Sequence, residues 1–143
     1  MSTTEPSATP LLYAVKRLEL AIRTRLDEML ADSGVTTLQY TALTVLAVRD
    51  GVSAAQLARD SFVTPQSMGE MLRLLEERGL VRREPNPLSR RELLVHITDE
   101  GRALLTEHAE AAAAIEARMT AGLRAQDRAD LRRWVARMWS QLA

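Results

Sequence analysis

The chain has 143 residues, enough for one domain with a hydrophobic core, and its nineteen basic and nineteen acidic side chains cancel. It has no cysteine, which excludes disulfides, thiolate metal sites and thiol-based redox switches, and no apolar run long enough to span a membrane. Because its start lacks the pattern of a signal peptide, we expect a cytoplasmic protein with no membrane partner. The balanced net charge gives no support to nucleic-acid binding, so that function depends on how the charges are distributed.

Capping residues and hydrophobic spacing predict two helices at the start of the chain. Residues 1–8 are small and polar without periodicity, and we expect a disordered tail there. Thr9 precedes a proline, a pattern typical of a helix start, and apolar residues then recur at three- and four-residue spacing as far as Met29. Thr36 opens a capping-box pattern, which predicts a second helix that runs through Val48.

Two short helical patterns, Ser53–Arg59 and Pro65–Arg78, come next and are joined by a few residues. This arrangement is typical of a helix-turn-helix, in which the second helix enters the major groove of DNA. Four apolar residues of the second helix fall within one arc at about 100° per residue, as on a buried face: Met68, Met71, Leu72 and Leu75. The opposite side is polar and carries Gln66, Glu70, Arg73 and Glu77, with Ser67 in the first turn.

A basic β-hairpin, or wing, is predicted directly after these helices. Leu80–Glu84 and Glu92–Thr98 have the length and apolar content of strands, and proline and asparagine mark the turn between them. Between Arg78 and Arg91 the chain carries five arginines and one glutamate, a local charge of +4. Beside a helix in the major groove, such a hairpin can reach phosphates or the minor groove.

The two ends of the chain are predicted to form helices with uncovered apolar stripes. Thr98 and the two acids after it start an alanine-rich helix, Gly122 interrupts it, and Asp127–Leu142 forms a last amphipathic helix. The stripes on Leu11–Met29 and Leu131–Leu142 are larger than a compact monomer with this order of elements covers. Exposed stripes of that size mark interfaces, so we expect a homodimer.

The sequence lacks the residue patterns of common catalytic and metal sites. Its two imidazoles, His96 and His108, do not fall at a metal-ligand spacing, and we expect neither a metal nor another cofactor. His96 alternates with apolar neighbours along its strand and is expected to be exposed. No glycine-rich phosphate loop or nucleophile elbow occurs, so we do not expect an enzyme.

Two stretches, which begin at Ser53 and Ser89, read SAAQLARDSFVTPQSMGEMLRLLEERGLVRREPN and SRRELLVHITDEG. The second combines the arginine pair with a valine strand and a threonine–x–x–glycine helix start, which runs from Thr98 to Gly101. In these stretches above all, and from Leu11 onwards, the chain resembles the MarR family of bacterial transcription regulators.

The resemblance implies a mainly α fold with a small β-hairpin wing, in a single domain over residues 9–143. It implies a winged helix-turn-helix at about 36–98 and dimerisation helices at about 9–33 and 99–143. It also implies that each subunit of a homodimer offers one winged helix to a half-site of a pseudo-palindromic operator in double-stranded DNA.

The candidate DNA-binding residues lie on the second helix of the pair and on the wing: Thr64, Gln66, Ser67, Glu70, Arg73, Arg90 and Arg91. Recognition helices usually touch bases from their first turn, and a glutamine there can bond an adenine edge. The resemblance implies that Arg90 or Arg91 reaches the minor groove. Three positions depart from the family pattern. Ser89 replaces the acid that usually precedes the arginines, and Gly69 and Glu70 stand where threonine and arginine are frequent.

Three functions remain open on these residues. The first is a sequence-specific DNA-binding transcription regulator, a dimeric repressor that a small aromatic or anionic effector releases, with no ligand residue assigned. The second is a winged-helix protein-interaction module with weak or no DNA binding. Glu70 and Glu77 favour it, because acids beside phosphates cost energy unless they are paired, although both are expected to hold Arg73. The third, a metal-responsive regulator, is disfavoured by the shortage of metal ligands.

Overall fold

A computed structural model describes residues 9–143 and their side chains, except the side chain of Arg90. The tail expected over residues 1–8 lies outside the described residues. Within 9–143 the chain forms six helices and a three-stranded antiparallel sheet, which confirms the predicted mainly α fold with a small wing. The elements are α1 (Leu11–Leu30), α2 (Thr37–Val48), β1 (Val52–Ser53), α3 (Ala54–Asp60), α4 (Pro65–Glu77), β2 (Val81–Asn86), β3 (Ser89–Ile97), α5 (Asp99–Met119) and α6 (Ala125–Leu142).

Side-chain caps define the starts of four helices. The hydroxyls of Thr36, Ser53, Thr64 and Thr98 each accept a hydrogen bond from the backbone N–H three residues further on, in every case at 3.1 Å. At Thr36 the box is complete, because the Gln39 side chain accepts from the Thr36 N–H at 3.0 Å. These bonds satisfy donors that a helix start otherwise leaves open.

The predicted cap of the first helix is wrong. Pro10, and not Thr9, occupies the N-cap position of α1, and no side chain caps that end. Pro10 has a ψ of 141°, which is outside the helical range, so the helix begins one residue later than the proline pattern predicts.

The sheet has the order β1–β3–β2. The wing strands β2 and β3 pair with each other, and the short strand β1, which the sequence did not predict, pairs with the other edge of β3. The pairing of β2 with β3 is regular from Val81 opposite Ile97 to Pro85 opposite Leu93. The register then shifts, because Asn86 lies opposite Ser89. Residues 90–92 therefore have no partner on β2 and form a bulge. Proline, which cannot donate to a ladder, is tolerated at such a place.

The core lies between α2, α3, α4 and the sheet. Its largest fully buried side chains include Leu43, Leu46, Leu57, Met68, Leu72, Leu75, Val81 and Val95. The predicted inner face of α4 is confirmed, since its four apolar residues are all buried. At the start of α5 the packing is closest around Gly101, where an added Cβ would lie 2.7 Å from Ile97 Cγ1 and still closer to the Leu80 carbonyl oxygen.

The terminal helices α1 and α6 carry apolar side chains that no other residue within 9–143 covers. Leu30 is the only buried residue of α1, and α6 has none. Exposed large hydrophobic side chains of the two helices include Leu11, Leu12, Val15, Leu18, Trp134, Val135 and Trp139. Within the part of the chain that is described, no helix is both long and apolar enough to cross a membrane.

Candidate nucleic-acid interface

The first turn of α4 is held in place by Thr64. Its hydroxyl accepts from the Ser67 N–H at 3.1 Å and donates to the Ser67 hydroxyl at 3.0 Å. Because the Ser67 hydroxyl accepts the bond from Thr64, its own hydrogen remains available to donate to a ligand. Ser67 and its neighbour Gln66 are both exposed, so two polar side chains of the first turn face solvent on a fixed helix start.

The outer face of α4 is polar, as the sequence predicts, but its ion pairing differs from the expectation. Arg73 pairs with Glu77 at 3.1 Å, and both side chains are exposed. Among the described residues Glu70 has no such pair, so the expectation that two acids share Arg73 is wrong for Glu70. An exposed pair of this spacing is worth only about 0.3–0.5 kcal/mol, and phosphates can compete for Arg73.

Arg78, the first arginine of the basic stretch, is turned away from the wing. Its guanidinium donates to the carbonyl oxygen of Gly34 at 2.8 Å and to that of Ser33 at 3.3 Å. Arg78 is the C-cap residue of α4, whereas Ser33 and Gly34 lie in the loop between α1 and α2. This arginine therefore supports the fold, and its charge is not presented with those of the wing.

Two further arginines of the stretch are paired with acids. Arg82 donates to Glu84 at 2.8 Å, and Arg83 donates to Glu76 on α4 at 2.8 Å. The hydrogen bond from Arg83 holds the pKa of the Glu76 carboxyl below its ordinary value, and the bond from Arg82 does the same for the pKa of Glu84. The free positive charge at the wing is thus smaller than the sequence count predicts, and the Arg83 pair fastens β2 to α4.

At the base of the wing, His96 lies between two carboxylates. Its Nδ1 is 3.3 Å from Asp50 Oδ2 and its Nε2 is 3.6 Å from Glu84 Oε2. Partial burial raises the pKa of Asp50, but the Ile97 N–H, which donates to it at 2.9 Å, and His96 reverse this, so that pKa lies below its ordinary value. The prediction that His96 is exposed is wrong, because its side chain is only 19% exposed. The turn after α2, which brings Asp50, covers that face of β3.

The far end of the wing presents the arginine pair on the bulge. Arg91 is exposed, and Arg90 lies beside it in β3, with its side chain outside the described part. The Asn86 side chain braces the bulge, since its amide donates to Glu92 at 2.9 Å and its oxygen accepts from the Leu88 N–H at 2.9 Å. Ser89 stands where the resemblance implies an acid, and in this chain an asparagine on the other strand braces the bulge. The sequence signal for it was the Asn-Pro turn pattern.

The seven candidate residues thus fall into two groups. Thr64, Gln66, Ser67, Glu70 and Arg73 lie on or directly before α4, and Arg90 and Arg91 lie on the wing bulge. Among the described residues there is no cluster of three side chains able to hold a metal ion. What the geometry supports is recognition, by a fixed helix start and a braced basic hairpin.

The order of the helices, the capped α4 and the attached wing define a winged helix-turn-helix protein. A family model described as "MarR family" matches residues 33–92. The HTH-type transcriptional repressor Rv2887 of Mycobacterium tuberculosis is 34% identical over 131 residues, which cover 92% of this chain and 94% of the relative. The chain belongs to the MarR family, which confirms the resemblance found in the sequence.

Solved structures agree with this family. The Mycobacterium tuberculosis MarR family protein Rv2887, solved in complex with salicylic acid, is 32% identical with a TM-score of 0.71, and the match covers 92% of this chain and 98% of that one. A MarR family transcriptional regulator from Silicibacter pomeroyi is 25% identical with a TM-score of 0.84, and the match covers 92% of this chain and 88% of that one.

Proposed function

We propose that the chain is a sequence-specific DNA-binding transcription regulator, a repressor, that acts in the cytoplasm by binding and not by catalysis. The observation that carries the proposal is the outer face of α4, polar and exposed from a first turn that Thr64 holds, followed at once by a braced wing. The proposal is also supported by the similarity of the chain, over most of its length, to a transcriptional repressor.

In this proposal the candidate residues make different kinds of contact with DNA. Gln66 and Ser67 read base edges in the major groove, since polar side chains of the first turn are closest to the bases. Arg73, Arg90 and Arg91 bind phosphates or the minor groove and supply affinity. Thr64 positions the turn, and Glu70, which is unpaired among the described residues, repels phosphates and so lowers the affinity for every sequence.

The active form is a homodimer, joined through the helices of residues 9–33 and 99–143, while residues 36–98 form the DNA-binding part. The uncovered apolar faces of α1 and α6 support this division, because faces of this kind mark interfaces. A two-fold dimer presents two α4 helices and therefore binds a pseudo-palindromic operator. Sedimentation at micromolar concentration should give about twice the chain mass of 15.9 kDa, and a monomer there would contradict the proposal.

An effector would occupy a groove of about 650 Å³ between α1, the end of α5, α6 and the turn before α4. Most of its lining is apolar and includes Phe62 and Trp139, with Arg128 and Arg132 at its side. Phe62 has a φ of 62°, a backbone conformation that costs a bulky residue about 1–3 kcal/mol. Such conformations occur most often at functional sites. An apolar groove flanked by arginines suits an aromatic carboxylate, the chemical class of the ligand in the Rv2887 complex.

Salicylate is the probe that tests this groove. Titration should quench tryptophan fluorescence and release bound DNA, and Trp139→Phe should reduce the quenching. Salicylate that leaves both fluorescence and DNA binding unchanged would contradict an effector of this class, and release that persists unchanged in an Arg132→Ala variant would contradict this groove as its site.

A protein-interaction module without DNA binding is the second candidate function. Two observations favour it: Glu70 is unpaired among the described residues, and Arg82 and Arg83 are already paired with acids. Both reduce the attraction of this face for phosphates.

Fluorescence anisotropy with the DNA that flanks the gene separates the two functions. A regulator should bind one fragment at least a thousandfold more tightly than random DNA at physiological salt, which is the lower end of the specificity of such proteins, about 10³–10⁷. Gln66→Ala should reduce that ratio, whereas Arg91→Ala should weaken both affinities equally. Equal and weak binding to every fragment would favour the interaction module.

A further inference from the structure

The wing ends in a leucine that folding does not require. Leu88 is 94% exposed, more than any other exposed large hydrophobic side chain among the described residues. It lies with Pro87 in the two-residue turn between β2 and β3. A leucine in that position buries no apolar area in the free chain, so its contribution to stability is negligible. Single exposed leucines are common on proteins, and a functional reading therefore needs the surroundings as well.

Hydrogen bonds and a proline restrict the backbone at this leucine. The Leu88 N–H donates to Asn86 Oδ1 at 2.9 Å, and the amide of the same asparagine donates to Glu92 across the bulge at 2.9 Å. Pro87 restricts the backbone between them. A turn restricted in this way loses little backbone freedom on binding, which favours measurable affinity from one small contact.

The charge around the tip indicates the surface that it meets. Arg91 is exposed on the bulge three residues further along the chain, beside Arg90. Of the two acids on the wing strands, Glu84 is paired with Arg82, whereas Glu92 accepts from the uncharged Asn86 amide and keeps its charge. The two arginines of the bulge therefore outweigh one acid. A leucine beside this excess of positive charge suits a surface that is both anionic and able to accept apolar contact. The minor groove of DNA is such a surface: phosphates line its edges, and its walls and base steps accept leucine side chains.

We propose that Leu88 is an apolar wedge that enters the minor groove when the wing arginines bind there. The inference rests on the proposed DNA-binding function and adds to it a contact that is not electrostatic. Such a wedge favours flexible pyrimidine–purine steps at the position under the wing tip, because these unstack at the lowest energy. Leu88 is thereby a specificity-determining residue that reads deformability and forms no hydrogen bond to a base.

The test compares three variants on the fragment that the wild-type chain binds, with Kd measured at several salt concentrations. Leu88→Ala should weaken binding about tenfold, as expected when most of a leucine side chain loses its burial, and should leave the slope of log Kd against log salt unchanged. Arg91→Ala should lower that slope by roughly one unit. Val48→Ala is the matched control, since Val48 is 81% exposed at the end of α2, and it should bind as the wild type does.

Folding does not obscure the result, because Leu88 makes no buried contact that alanine would remove. If the wild type binds the fragment and Leu88→Ala binds within twofold of it, the wedge is refuted while the proposed function stands. A loss accompanied by a lower salt slope would also refute it, because the leucine would then act only by placing the arginines. If the wild-type chain binds no DNA at all, the proposed function itself fails.

Discussion

Replacing Gly101 with alanine should destabilise the protein, although alanine is the better helix former. Gly101 lies in the first turn of α5, and its N–H donates to the Thr98 hydroxyl at 3.1 Å. An added methyl group would meet Ile97 Cγ1 at 2.7 Å and the Leu80 carbonyl oxygen at an even shorter distance. That carbonyl cannot retreat easily, because it accepts from the Thr98 N–H at 3.1 Å and so joins the wing to α5.

The size of the effect follows from two opposing contributions. Overpacking of a buried site costs about 1–3 kcal/mol and more where backbone must move, whereas glycine to alanine inside a helix gains about 1 kcal/mol. The contact with a backbone oxygen places Gly101 at the upper end of the first range, so we expect a net loss of about 2 kcal/mol. Gly69, exposed on α4 with no atom within 4 Å of an added Cβ, is the matched control and should gain stability on the same change.

Urea unfolding followed by circular dichroism measures both changes, with all variants at one protein concentration because dimerisation contributes to the apparent stability. Gly101→Ala should lower the midpoint and Gly69→Ala should raise it. A Gly101→Ala variant as stable as the wild type would refute the packing argument. A destabilised Gly69→Ala variant would show that the outer face of α4 is less open than described.

Three further predictions concern the interface and its support. Glu70→Ala should tighten binding to every DNA sequence, because an unpaired acid repels phosphates; a loss of about 1–3 kcal/mol at a single C·G pair would instead show that Glu70 accepts from a cytosine. Replacing both Arg90 and Arg91 with alanine should weaken binding to operator and random DNA alike, and unchanged affinity would mean that the wing does not touch DNA. Asp50 has a lowered pKa, so its ionised form stabilises the fold above the unfolded value of about 3.9 and that stabilisation is lost as pH falls through the lower folded value. Asp50→Asn should therefore be less stable at pH 7 and lose less stability on acidification, and an acid unfolding profile parallel to the wild type would contradict this.

The helix starts and the wing could be predicted from the sequence because their signals are local. A cap such as Thr64 and the N–H that it accepts from are three residues apart, and the strands of the wing are joined by a two-residue turn. The apolar arc of α4 needs only the helical repeat to be recognised. Each of these features can be recognised without knowing which distant residues the segment contacts.

The pairing of charges could not be predicted, because the partners are distant in sequence. His96 meets Asp50 across 46 residues, and Arg78 reaches Gly34 across 44. The strand β1 has only two residues and exists through its pairing with β3, so it has no pattern of its own. For the same reason, counting arginines along the chain overestimated the charge of the wing, since Arg83 is paired with an acid that lies on α4.

The two hydrogen bonds of Arg78 couple helix α4 to the loop after α1. They fasten the C-terminal end of α4 to the loop that leaves α1. A displacement of α1 would therefore be passed to α4 as a whole, because the start of that helix is held by the Thr64 cap and the buried Met68. In a two-fold dimer the same displacement would occur in both subunits, so it would change the distance between the two α4 helices. Successive major grooves on one face of DNA are about 34–36 Å apart, and this distance is set by the DNA. A rearrangement at the dimer interface would therefore change how well the spacing of the two α4 helices matches it.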